Sequence, residues 1–244
     1  MIKRILFAVV SVYLLFVMSC NKASDNPPPV ITQGYLKGSV NLFDEGLVPL
    51  SKDSMKVSLE NTDPEIFVFT DSNGDYIFED LDFDIYTIAF SKENYGTFKF
   101  YGLNHSGSNT NISVIPSLGE KSTTEITSIS QGQFGNSITI MVSCSPAASA
   151  DNPRYIRYFL GLTSGVSSTQ YMFSSMVQYA NDDPFVIGLS QQDLNNIGFT
   201  SSSEVFIRVY GDSYWSNMYE QPDGTNIFPN LNPTTVDVIS FIVP

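Results

Sequence analysis

The stretch Thr70-Asp71-Ser72-Asn73-Gly74-Asp75-Tyr76 constrains this chain most, because it imposes a tight reversal between two runs with strand character. Asx side chains bond nearby backbone amides, and glycine accepts a positive φ without a Cβ clash. The flanking runs, residues 65–70 (EIFVFT) and 75–78 (DYIF), are β-branched and aromatic, as a half-buried pleated surface requires. A hairpin-like reversal is expected. A further strand follows at Tyr86, Ile88 and Phe90, which alternate and so share one face.

The same alternation of strand runs and turn signals continues to the C-terminus. Strands are expected near residues 125–129, 137–144, 155–162, 171–179, 185–189, 204–210 and 236–243, and several are apolar on both faces. Asn152-Pro153, Asp183-Pro184 and Pro222-Asp223-Gly224 punctuate them. One short helix interrupts the pattern: Ser190 caps it, Asp193 follows three residues on, Leu194 and Ile197 are its apolar positions, and Gly198 ends it. The fold class is therefore all-β. With 244 residues there is room for two modest domains.

Several function classes are excluded early. Twenty-five acidic residues against twelve basic ones leave a net charge of −13, with no lysine or arginine cluster, so nucleic acid is not a partner. His105 is the sole histidine and is expected in the polar loop of residues 104–111, so a two-histidine zinc site has no ligands here. Neither a Gly-x-Ser-x-Gly elbow nor a phosphate-binding glycine loop occurs. No catalytic residues, metal ligands or cofactors are assigned. A paired-carboxylate glycosidase is the remaining enzymatic alternative, because sequence does not give the separation of two acids.

Two features invite a ligand reading. Asp71, Asn73 and Asp75 alternate as in a calcium loop, with Glu79, Asp80, Asp82 and Asp84 behind them, but Tyr76 occupies the position where an EF-hand needs glycine. A turn with a solvated acidic rim is the expected reading, and structural calcium the alternative. Trp215 lies among Tyr210, Tyr214, Met218 and Tyr219 in a loop, where rings either cover the end of a sandwich or stack on a ligand. Tyr214, Trp215 and Tyr219 are the candidate ligand-binding residues. Cys144 shares parity with Ile138, Ile140 and Val142 and is expected to be a buried thiol.

The N-terminus is read separately. Lys3 and Arg4 precede an apolar run, residues 5–18, which as a helix extends only about 21 Å against the ~30 Å hydrocarbon core of a bilayer. A cleaved signal fits better than a span. Val17-Met18-Ser19-Cys20 resembles the lipobox of bacterial lipoproteins, which implies an acylated Cys20; an uncleaved anchor and an ordinary signal peptide are the alternatives. Residues 20–33 then form a polar, Pro-rich tether around Pro27-Pro28-Pro29. Asn21 rather than aspartate after the cysteine favours, by that resemblance, an outer-membrane destination, with the periplasmic or surface face left open.

Residues 34–101 resemble the carboxypeptidase regulatory-like domains, which are transthyretin-like β-sandwiches. The match is carried by the strands Gly38-Ser39-Val40-Asn41-Leu42 and Met55-Lys56-Val57-Ser58-Leu59, the turn from Thr70 to Tyr76, and Tyr86 followed by Lys92-Glu93-Asn94-Tyr95-Gly96. Such domains are generally non-catalytic attachments. Val205-Phe206-Ile207-Arg208-Val209-Tyr210-Gly211 is similar to the penultimate strand of fibronectin type III and other immunoglobulin-like modules. The expected organisation is thus a signal peptide (1–19), a lipidated Cys20 with its Pro-rich tether (20–33), and two tandem β-sandwiches, 34–118 and 122–244. The expected role is a non-catalytic, lipid-anchored cell-envelope protein, held to the membrane through that anchor, whose ligand is a glycan or an envelope protein; the alternative is a structural lipoprotein bracing an envelope complex.

Two or three acyl chains, at about 0.8 kcal/mol per buried methylene, make a stable anchor. Cys20→Ser is therefore expected to shift the chain from the detergent phase to the aqueous phase in a phase-partition assay, and retention in the detergent phase would show that the apolar segment itself is the anchor.

Overall fold

The structure is a computed structural model that describes residue 30 and residues 32–244; the expected signal peptide, Cys20 and most of the tether lie outside the described residues. Thr32–Pro244 is one compact all-β unit with two main hydrophobic cores and a smaller outer cluster.

The first core lies between two sheets. In one, β1 (Gln33–Ser39) pairs antiparallel with β5 (Asp75–Asp82) and parallel with β8 (Asn109–Asn111). In the other, β3 (Lys56–Leu59) sits between β4 (Ile66–Phe69) and β6 (Asp84–Ser91), and β7 (Phe98–His105) completes the order β4-β3-β6-β7. A short parallel pair, β2 (Asn41–Phe43) with β9 (Ser117–Gly119), closes one end. Leu36, Tyr76, Phe78 and Leu81 from the first sheet meet Val57, Leu59, Ile88 and Phe90 from the second.

The reversal at residues 70–74 forms, but β4 pairs with β3 and β5 with β1, so it carries the chain from one sheet to the other instead of closing a hairpin. Its chemistry explains the motif. Asp71 Oδ1 accepts from the amides of Asn73 (2.8 Å) and Asp75 (2.9 Å), which together hold its carboxyl below the usual range. Thr70 Oγ1 accepts from Met55 N and donates to Lys52 O. Gly74 has φ +86°, and a Cβ there would stand 2.3 Å from Val40 O, so no other residue fits. The expected opening strand, residues 38–42, breaks at Val40, whose amide donates to Gly74 O while the chain switches from β1 to β2. Gln33, assigned to the tether, already belongs to β1.

The second core is enclosed by β10 (Glu125–Phe134), β11 (Ser137–Ser145) and β15 (Phe185–Ser190) on one side. Opposite lie β12 (Arg154–Gly161), β16 (Glu204–Asp212) and β19 (Ile239–Ile242). Ile138, Ile140, Val142 and Cys144 do share the inward face of β11, and burial pushes the Cys144 thiol up. β12 is buried on both faces: Ile156, Tyr158 and Leu160 enter the core, while Phe159 joins Val166, Tyr210 and Phe228 under the long loops outside. Helix α1 (Gln191–Asn196) is closed by a reciprocal Ser190–Asp193 capping box and followed by Gly198 at φ +99°.

The strand expected over residues 171–179 is two fragments, β13 (Phe173–Ser174) and β14 (Gln178–Ala180), both on β12. Between them Ser175 exchanges bonds with the Tyr158 backbone and gives its carbonyl to Arg157 Nη1, leaving Met176 looped out and 79% exposed. His105 also departs from expectation: it ends β7 fully buried, with Nδ1 2.7 Å from Thr110 Oγ1, Nε2 3.2 Å from Leu81 O, and Phe83 edge-on to the ring. The remaining pair, β17 (Tyr219–Glu220) with β18 (Asn226–Ile227), frames the turn at Gly224.

The two cores are joined by a buried polar knot. Asn230 Oδ1 accepts from Gly96 N (3.0 Å) and Asn217 Nδ2 (3.0 Å), and its Nδ2 donates to Gly119 O and Trp215 O, both at 2.9 Å. Asn217 Oδ1 accepts from Gly119 N at 2.9 Å. A Cβ at Gly96 would lie 2.4 Å from Asn230 Oδ1, so the approach needs glycine. Alongside, Glu45 pairs with Arg154 (2.7 Å) and accepts from Thr123 N (2.7 Å). Buried polar atoms left without partners cost roughly 1–3 kcal/mol each. Asn230→Ala is therefore expected to lower unfolding stability by about 3 kcal/mol in urea titration; an unchanged midpoint would show that the knot does not contribute to stability.

Candidate functional site

The loop after β16, residues 213–218, is where the sequence placed its aromatic candidates. It leaves the sheet at Asp212, whose carboxylate accepts from Arg157 Nε (2.7 Å) and Ser213 N (2.8 Å). Arg157 Nη2 reaches Ser216 Oγ at 3.2 Å, and its guanidinium lies 4.8 Å from the Phe228 ring centre. Ser213 Oγ donates to Glu120 O, and Tyr214 N to Glu45 O at 2.9 Å. The loop is thus tied down at both ends and from the opposite sandwich.

Pinned in this way, it completes a file of aromatic rings. Tyr179 packs on Tyr155 (5.9 Å between centroids), Tyr155 on Tyr214 (5.7 Å), Tyr214 on Trp215 (5.2 Å), and Trp215 on Phe43 (5.2 Å). The first three contacts are edge-to-face, the arrangement that ring quadrupoles favour. Tyr179 and Tyr214 remain 51% and 43% exposed, and together with Met176 and Met218 they line a groove of about 320 Å³ floored by Arg157. A second hollow of about 300 Å³ lies across the loop, between Trp215 and Phe98, Pro116 and Leu118.

The three candidate residues separate. Tyr214 and Trp215 line the groove, whereas Tyr219 packs on Phe98 and Tyr101 of β7, 6.1 Å from each ring, and takes no part in it. Tyr210 is buried in the outer layer of the second sandwich. Trp215 is partly buried, its Nε1 sealed without a partner and its carbonyl engaged by Gly119 N and Asn230. Tyr155, Met176 and Tyr179 were not selected from sequence. Their only signal was pairing register, because Tyr155 lies directly opposite Tyr179 in the β12–β14 ladder.

The chemistry the groove offers is stacking. The rings of Tyr179 and Tyr214 are about half exposed, the two thioethers are deformable, and the polar floor is engaged internally. Its carboxylate, Asp212, is enclosed with Arg157. Elsewhere among the described residues, no three His, Cys, Asp or Glu side chains converge as a metal site.

No family model matches the chain, and no curated protein does. Among solved structures, it is similar to a candidate carbohydrate binding protein from Bacteroides uniformis, at 12% identity, covering 87% of this chain and 100% of that one, with a TM-score of 0.31. A DUF3823 family protein from Bacteroides ovatus aligns at 14% identity over 87% and 100%, TM-score 0.31. The major pilin SpaD of Corynebacterium diphtheriae aligns at 16% identity over 87% and 65%, TM-score 0.28.

Burial pushes the Asp212 carboxyl up to about 6, against the downward pull of Arg157 and the Ser213 amide. This lies above the ordinary aspartate value of 3.8, so the folded chain binds this proton more tightly than the unfolded chain. Asp212 therefore contributes stability that is complete below about pH 4 and lost as the pH rises through about 6. Urea titrations across that window are expected to show a decline in the parent protein that Asp212→Asn lacks; parallel pH profiles would refute the raised value.

Proposed function

We propose that this chain is a lipid-anchored binding protein of the bacterial cell envelope, attached through Cys20, most simply at the outer membrane, and that its aromatic groove takes a glycan without chemically changing it. The observation that carries the reading is the exposure of Tyr179 and Tyr214 in a file of rings held rigid by the Arg157–Asp212 pair. Sugar rings present apolar C–H faces to such platforms, and a rigid aromatic surface loses little conformational entropy on binding. The anchor and the two-sandwich organisation belong to the same proposal: residues 34–118 set the groove of 122–244 away from the membrane.

A second reading, an envelope-protein partner or a bracing role within an envelope complex, is favoured by one feature. Met176 is 79% and Met218 41% exposed, and methionine-bordered grooves adapt to apolar protein surfaces.

A glycan array probed with the soluble chain beginning at Asn21 separates the two. Tyr214→Ala and Tyr179→Ala are the appropriate controls, because Trp215→Ala would also disturb the contact with Phe43. A specific signal weakened about tenfold in both variants is expected, corresponding to roughly 1.4 kcal/mol of lost stacking. Absence of any signal from the folded protein, with a membrane protein co-purifying regardless of Tyr214, would transfer the assignment to the second reading.

A further inference from the structure

We propose that the first sandwich carries a second carbohydrate site, in the open cleft between β4 and β5, and that it recognises a neutral sugar. This does not rest on the aromatic groove, which lies elsewhere in the fold. The cleft has a volume of about 680 Å³, within the range of roughly 300–1,000 Å³ usual for ligand pockets. It opens here because β4 and β5 are the outermost strands of different sheets, and the turn between them crosses from one sheet to the other.

Its lining divides into apolar and polar parts. Phe69, 58% exposed, and Ile77, 43% exposed, supply the apolar surface. Ile77, Lys37 and Asn111 stand abreast across β5, β1 and β8, so an ammonium group and an amide line up beside that surface. Lys37 makes no ion pair among the described residues. Asp71 and Asp75 border the cleft, each using Oδ1 internally, the first on turn amides and the second on Ser39 Oγ. Tyr76, only 4% exposed, closes the inner wall with its ring, while its hydroxyl is enclosed on the core side. That hydroxyl sits over Gly38, where a Cβ would be only 2.5 Å from it.

The chemistry selects among ligands. Carboxylates oppose an anion, the lysine opposes a bare cation, and the aromatic face with mixed donors and acceptors suits the C–H faces and hydroxyls of a sugar. An added peptide strand is disfavoured by the edges themselves. β5 is bulged at Glu79–Asp80, where Asp80 has φ +49°, and it presents a further acid at Asp82; β4 is only four residues long. Bulges, charges and shortness all discourage edge pairing.

The test uses the glycan array with the chain from Asn21, comparing Phe69→Ala, Asn111→Ala and Tyr214→Ala after matched melting curves establish that each is folded. A set of neutral glycans bound by the parent and by Tyr214→Ala, but at least tenfold weaker with both Phe69→Ala and Asn111→Ala, is the expected result. Signals unaffected by Phe69→Ala and Asn111→Ala, or no signal with the parent, would overturn the inference. Loss only in Tyr214→Ala would overturn it while leaving the groove reading intact, and loss only in the cleft variants would do the reverse.

Discussion

The buried contact among Asn217, Asn230, Gly96 and Gly119 is the constraint on which the remaining architecture depends. Two amide side chains there satisfy backbone groups from both sandwiches in a place that water does not reach. Such a network must be completed as a whole, since a partly satisfied one is worse than an apolar contact. Its completion requires glycine at 96 and 119, where any side chain would collide with the second sandwich. The region between the two cores is therefore a structural centre of the molecule and not a flexible hinge.

The groove follows from that centre. The loop of residues 213–218 is anchored by Arg157 and Asp212 on one side and by the knot on the other, so Tyr214 and Trp215 have little freedom. Arg157 also takes the Ser175 carbonyl, which splits the neighbouring edge into β13 and β14 and releases Met176 toward the groove. One buried cation thus sets both rims. Burying it is tolerable because Asp212, Ser175, Ser216 and the face of Phe228 all compensate it.

Much of the local structure was legible in the chain. The reversal at Asp71, the strands β10, β11, β12, β15, β16 and β19, the Ser190 cap and the inward parity of Cys144 all follow from turn chemistry or period-two alternation, which depend on near neighbours. The candidate site was legible only in part. Tyr214 and Trp215 were found as a cluster of rings in a loop, but Tyr219, adjacent in sequence, turns to β7, while Tyr155 and Tyr179, distant in sequence, join the file. His105 looked solvated because its neighbours are polar, yet Thr110 and Leu81 enclose it.

By itself the sequence determined the all-β class, the places where the chain turns, the acidic charge balance and that a two-histidine zinc site cannot be built from this chain, because each depends on residue type and short-range spacing. Tertiary structure alone decided which sheet each strand joins, that Asp71 links sheets instead of closing a hairpin, and that Asn217 and Asn230 meet Gly96 and Gly119 between the two cores. Those outcomes rest on long-range packing and on the need to pair every buried polar group. No local pattern encodes such partners, since they come together only when the whole unit has closed.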